Sequence, residues 1–313
     1  MKPFREIDAS QLTLHSLPDE INTWGYLLIR GVLPREDVSR MLADITEIVS
    51  SAGWLLPGTN LKNIAADIHR ACGDPDPEYK RVYEQIFNLQ SFHAFAHQQP
   101  LLSLMKLLAG PELLVHPNPI GRLIFPNCER FVIHAHQDHR SVDGDPESFT
   151  AWMPLHDCPI ELGPLQILER SHVFGLQGID SSTGIISRET ARGGDWVGGA
   201  INAGDVLIFH SLTVHSATPN VSNQLRISMD CRFQDARRKV NPANFVFPGN
   251  EKSWETTYSN WGSDDLKYFW KKMAITFEPS KEKLIELAET DGDPKMRSRY
   301  ARILSQLESQ MLG

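Results

Sequence analysis

The stretch Phe131–Arg140, FVIHAHQDHR, places three histidines and an aspartate within six positions, directly after an apolar run. On an extended chain successive side chains alternate between faces, so His134, His136 and Asp138 are expected on one side. Imidazoles and a carboxylate converging on one face suit a divalent ion such as iron(II), which accepts nitrogen and oxygen donors together. A further ligand must come from elsewhere in the chain. After a second apolar run the sequence offers His215, followed eleven residues later by Arg226.

Working outward, other landmarks fall in a fixed order: His136-Gln137-Asp138, Ala151-Trp152, Gly163-Pro164-Leu165, Ser171-His172, Gly204-Asp205-Val206, then His215, Asn220 and Arg226. In this order and spacing they resemble the phytanoyl-CoA dioxygenase family of iron(II)/2-oxoglutarate oxygenases, over roughly residues 20 to 235. The resemblance implies a double-stranded β-helix, or jelly roll, with His136, Asp138 and His215 as the iron ligands. It further implies Arg226 as the anchor for the far carboxylate of 2-oxoglutarate and Trp152 beside that cosubstrate, with dioxygen as the oxidant. Many members carry a hydroxyl residue two positions past the distal histidine. Here that position is Ala217, so Thr218 or Arg122 is the expected substitute. Asp138 occupies the position that related halogenases leave open, so hydroxylation is expected and halogenation is not. Desaturation, epoxidation or cyclisation remain outcomes of the same chemistry.

Two readings of another class stay open. His134 with His136 makes an HxH pattern like that of cupins, which would suit a non-redox metalloenzyme. Arg140 and Ser141, however, occupy the place where a cupin would carry its glutamate. The barrel could also serve a ligand-binding protein that has lost turnover. His134, Gln137, Trp196 and Arg192 are the candidates for the substrate pocket.

The remaining sequence supports a chain that is mainly β with flanking helices. Short apolar runs with turn residues between them extend from Leu113 to Phe233: Leu113–His116, Ile120–Phe125, Phe131–His136, Phe149–Leu155, Leu165–Leu168, Val206–Phe209, Thr213–His215 and Arg226–Phe233. Before them, Tyr26–Val32 reads as a strand. Val38, Met41, Leu42, Ile45 and Val49 then mark a helix through about Ser51. Two more helical stripes follow, through Tyr79–Phe87 and Leu101–Leu108. Residues 173–203 read as a long insert over the site. Residues 1–249 are expected to form the oxygenase domain, with the jelly-roll core from about 113 to 235.

Residues 250–313 read as a C-terminal helical extension with apolar stripes through Leu266–Met273, Leu284–Ala288 and Met296–Leu307. Such a face must be buried on the barrel or against a partner subunit, and a homodimer is the second of those outcomes.

The formal charge is −8, from 31 basic and 39 acidic residues in 313, so no general attraction to nucleic acid or an anionic membrane is expected. Four cysteines without a paired spacing indicate free thiols in a reducing compartment. No apolar leader or span is apparent, and a cytoplasmic enzyme acting on a small molecule is the expectation.

Overall fold

The computed structural model describes residues 1–13, 16–60, 63–246 and 253–311. Its core is two facing sheets. The larger is built from β1 (Glu6–Asp8), β2 (Tyr26–Arg30), β3 (Leu113–Val115), β4 (Ile120–Ile124), β5 (Ser148–Pro154), β8 (Val206–His210) and β10 (Arg226–Asp235), in the order β1-β2-β8-β5-β10-β3, with β4 also paired to β10. The smaller has β6 (Leu165–Leu168) at its centre, flanked by β7 (Trp196–Gly198) and β9 (His215–Ala217).

Strict alternation divides the large sheet into two faces. Leu27, Ile29, Ala151, Met153, Val206, Ile208, Ile227, Met229, Cys231 and Phe233 point outward into one core. That core is closed by α2 (Arg35–Ser51), α3 (Pro77–Phe87), α4 (Gln90–Phe95) and α5 (Gln99–Ala109), while α1 (Ser16–Trp24) leads into β2. Tyr26, Leu28, Trp152, Leu207 and Phe209 point the other way and meet Leu165, Ile167, Val197 and Ala217 of the small sheet. This is the expected jelly-roll core with flanking helices.

On β10 the inward set is different in kind. Arg226, Ser228, Asp230, Arg232 and Gln234 alternate with the apolar residues above, so the longest strand lines the barrel interior with polar groups.

Two local expectations are corrected. The run Phe131–His136 does not form a strand. His136 makes a single bridge with His215, but the next bond to β9 comes from Ala217 N to the Ile133 carbonyl (2.9 Å). A regular ladder would use His134 there, so the pairing slips by one residue, as in a bulge. Within the insert 173–203, β7 pairs with β6. The stripe Leu266–Met273 yields only one 3₁₀ turn, Phe269–Lys272, among the aromatic rings of Phe245, Trp254 and Tyr268.

After the short α6 (His139–Val142) and α7 (Trp254–Tyr258), the chain ends in a hairpin of α8 (Lys281–Thr290) and α9 (Pro294–Met311). A small two-stranded pairing of β11 (Lys239–Val240) with β12 (Thr276–Phe277) ties this region to the barrel. Leu284, Ile303 and Leu307 are buried with Val246, so covering these three side chains needs no second subunit. The domain boundary expected at 249/250 lies outside the described residues. No helix among the described residues is long and apolar enough to cross a membrane.

Candidate metal centre

His136, Asp138 and His215 come together, each offering a ligand atom within 4.8 Å of the others. His136 Nε2 lies 3.7 Å from Asp138 Oδ1, and His215 Nε2 lies 3.9 Å from the same oxygen. The bridge between His136 and His215 brings the two imidazoles side by side, with ring centroids 4.2 Å apart. Asp138 arrives by a different route from the one its spacing suggests. Its backbone is helical (φ −59°, ψ −35°) and opens α6, so a turn rather than strand alternation aims the carboxylate.

Both histidines are held in one tautomer. His136 Nδ1 lies 2.8 Å from the carbonyl of His134, and His215 Nδ1 lies 3.0 Å from that of Thr213. A carbonyl only accepts, so each Nδ1 carries the proton and each Nε2 keeps its lone pair toward the other ligands. The slipped pairing at Ile133 is what frees the His134 carbonyl for this bond. Burial, then the neighbouring His136, lowers the His215 pKa to about 3, which keeps it neutral and able to ligate.

Asp138 is buried, which alone would raise its pKa. The guanidinium of Arg232, then His215, His136 and the Thr150 hydroxyl, outweigh that and hold it well below the usual carboxylate range. Arg232 Nη2 lies 3.4 Å from Oδ1, and Thr150 Oγ1 donates to Oδ2 at 2.6 Å. These two partners face each other across β10 and β5. The sequence reading missed both; the signal was the alternation of polar and apolar residues along 226–234.

Arg226 is 1% exposed. Its Nη1 donates to the Gly163 carbonyl, its guanidinium carbon lies 5.9 Å from the Trp152 ring centre, and its Nε and Nη2 have no hydrogen-bond partner among the described residues. Burial pulls its pKa down. A buried guanidinium with two open nitrogens is costly unless an anion completes it. Gly163 has φ +79°, and a Cβ there would sit 2.5 Å from the Thr218 carbonyl oxygen, so only glycine presents this carbonyl to Arg226. The donor set suits iron(II) at the triad, and the open fork of Arg226 suits the distal carboxylate of a 2-oxo acid.

The other expected residues are sorted by their contacts. Thr218 donates its hydroxyl to the Pro164 carbonyl (2.9 Å). Arg122 pairs with Asp230 (2.9 Å), and both Arg122 and His134 line the large cavity beside the triad. Gln137 is turned away from the cavity: its amide donates to the Gly175 and Leu212 carbonyls and accepts from Gln177 N. Trp196 lies on β7 with Arg188 stacked at 3.9 Å, and Arg192 covers Phe174 at 4.3 Å. Gln137, Trp196 and Arg192 are therefore absent from the cavity wall. Asn220, Asp205 and Ser171 are turn clamps, each bonding neighbouring backbone.

The cavity holds about 1150 Å³. Its floor carries His136, Asp138, Arg122 and Arg232. Its walls come from Tyr83 and Phe87 of α3, Ile120 of β4 and, on the far side, Ile303 of α9.

The family model of phytanoyl-CoA dioxygenase (PhyH) matches residues 21–228. The chain belongs to the phytanoyl-CoA dioxygenase family. Among curated members of similar sequence, the 1-deoxypentalenic acid 11-beta-hydroxylase of Streptomyces exfoliatus is 26% identical over 230 residues, covering 68% of this chain and 78% of its own. The architecture is shared with the epimerase SnoN, solved with Fe3+, alpha ketoglutarate and nogalamycin RO, at TM-score 0.56 and 21% identity over 77% of this chain and 92% of SnoN. The carbocyclase SnoK of nogalamycin biosynthesis follows at TM-score 0.53 and 21% identity over 77% of this chain and 89% of its own. In this phytanoyl-CoA dioxygenase family member the metal-side residues all fall within the matched segment apart from Asp230 and Arg232, whereas α8 and α9 lie beyond it.

Proposed function

We propose that this chain hydroxylates a small organic molecule, using iron(II), 2-oxoglutarate and dioxygen, with release of succinate and CO2. The observation that carries the reading is the buried, half-satisfied Arg226 in the same barrel as a converging His136–Asp138–His215 set. The bound iron and 2-oxo acid supply the oxidising power. The chain's own residues bind and orient. His136, Asp138 and His215 would hold the ion, and His136 and Asp138 line the cavity through which the substrate would reach it. The His134 and Thr213 carbonyls fix both imidazoles, and Thr150 fixes the carboxylate. Arg226 holds the far carboxylate of the 2-oxo acid, with Trp152 packed beside it. Phe87, Val142 and Ile303 line the cavity with apolar surface that suits an apolar substrate body.

The test is anaerobic titration of 2-oxoglutarate into the Fe(II)-loaded protein, followed by the visible metal-to-ligand charge-transfer band. The band is expected in the wild type, lost in His136→Ala and displaced to much higher 2-oxoglutarate in Arg226→Ala. A wild type without a band would refute the cosubstrate.

A further inference from the structure

The cavity has a second end. At its mouth, Arg299 and Arg302 project from one side of α9, three residues apart, and Lys80 stands on α3. All three are exposed, and none makes an ion pair among the described residues. Two carboxylates outside the metal set, Asp74 and Glu84, also line the cavity, so these three cations outnumber them. That local excess runs against a chain whose formal charge is −8. The basic groups at the floor are already engaged, Arg122 with Asp230 and Arg232 with Asp138. The same cavity is lined by the apolar side chains of Phe87, Val142, Val246 and Ile303, all buried.

We propose that Arg299 and Arg302 form an anion-binding subsite, and that the substrate is an apolar organic acid whose carboxylate, or a like oxyanion, docks there. This rests on the oxygenase reading for which end reacts. The anionic head stays at the mouth, the hydrocarbon body fills the apolar belt, and a carbon remote from the head meets the metal. A guanidinium pair suits such a head because each fork offers two parallel N–H donors to an oxyanion. Ile303 sets the position of the pair, since its burial against Val246 seats α9 on the barrel. The subsite belongs to the segment beyond the family match, which ends at residue 228.

Two probes with one skeleton test the assignment: 1-anilinonaphthalene-8-sulfonate and its neutral parent N-phenyl-1-naphthylamine. Binding is followed by fluorescence on anaerobic protein loaded with Fe(II) and saturating 2-oxoglutarate, which blocks Arg226. The sulfonate is expected to bind the wild type at least ten-fold more tightly than the neutral probe. Arg299→Ala/Arg302→Ala should remove that gap and leave the neutral probe unchanged, and Arg299→Lys/Arg302→Lys should retain part of it. Both positions are exposed on a helix, where alanine is well tolerated, and far-UV circular dichroism verifies that α9 persists. Equal affinities in the wild type, or a gap that survives the double alanine variant, overturns the subsite. The charge-transfer band of the same samples reports separately on the oxygenase reading: its absence refutes that reading, whatever the probes do.

Discussion

Thr150 donates a 2.6 Å hydrogen bond to Asp138 Oδ2, and the other carboxylate oxygen, Oδ1, is the one that faces both imidazoles. The hydroxyl thus orients the carboxylate so that Oδ1, which Arg232 also approaches, is the oxygen turned to the imidazoles. Replacing it with an isosteric methyl, Thr150→Val, should weaken iron(II) affinity by about 10- to 100-fold, as is typical for the outer partners of metal ligands. Anaerobic competition against a chelating dye measures this. An unchanged affinity would mean that Thr150 only packs the strand.

Arg226 and Ser228 are neighbours on the inward face of β10. The Ser228 hydroxyl is buried and, among the described residues, without a partner. With Thr218 tied to Pro164, Ser228 is the nearest free hydroxyl on that strand face. Arg226→Ala should weaken 2-oxoglutarate binding by about 100-fold, the loss of two charge-assisted hydrogen bonds. Ser228→Ala should weaken it about five-fold, the loss of a single hydrogen bond. Isothermal titration against the Fe(II)-loaded protein separates the two, and equal effects would contradict this ranking.

His93 and His116 lie in the core, and burial lowers each pKa from 6.5 to about 4. In the unfolded chain each takes up a proton near pH 6.5, whereas in the folded protein each resists until about pH 4. The unfolded state therefore binds more protons in that window, and stability is lost as pH falls through it. The slope is up to about 1.4 kcal/mol per pH unit for each group. Urea midpoints are expected to fall steadily between pH 6.5 and pH 4.5. Midpoints independent of pH across that range would show that these imidazoles are reached by water.

Ile303 is 4% exposed and joins α9 to Val246. Ile303→Asp puts an unpaired carboxylate there, at a cost of about 3 kcal/mol. The α8–α9 hairpin should detach while the barrel stays folded. Limited proteolysis would then cut near residue 280 with the Fe(II)/2-oxoglutarate band retained. Loss of the band together with the hairpin would instead make α9 part of the metal-side architecture.

The convergence of His136, Asp138 and His215 was legible because its parts are local: His136 and Asp138 lie two residues apart, and His215 stands at a fixed distance from Arg226. The fold class was legible because apolar and polar residues alternate along the barrel strands. The means by which Asp138 reaches the site was not, since two residues of spacing do not distinguish a strand from a turn. Nor were Thr150 and Arg232, which meet the carboxylate from positions 12 and 94 residues away in the chain. Strand pairing brings them there, and pairing partners are not written locally. Gln137 shows the converse: it sits between two ligands in sequence, yet its side chain serves the backbone behind them. The cationic mouth was hidden because an arginine pair on a terminal helix has no local sign of what it faces.

Gln177 donates to the Arg192 carbonyl (2.7 Å) and accepts from the Arg192 amide (2.7 Å), while Gln137 holds Gln177 from the metal side. Residues 178–191 are therefore a loop sewn shut at its base, and Gly184 and Ile185 near its tip reach the cavity wall. Its two limbs differ in what they hold. Ile186 is buried with Ala135 and Val214, the chain neighbours of His136 and His215, and its amide bonds the Ala135 carbonyl, so a change on this returning limb reaches the metal-side backbone, whereas the exposed turn at 181–184 can change the cavity rim alone.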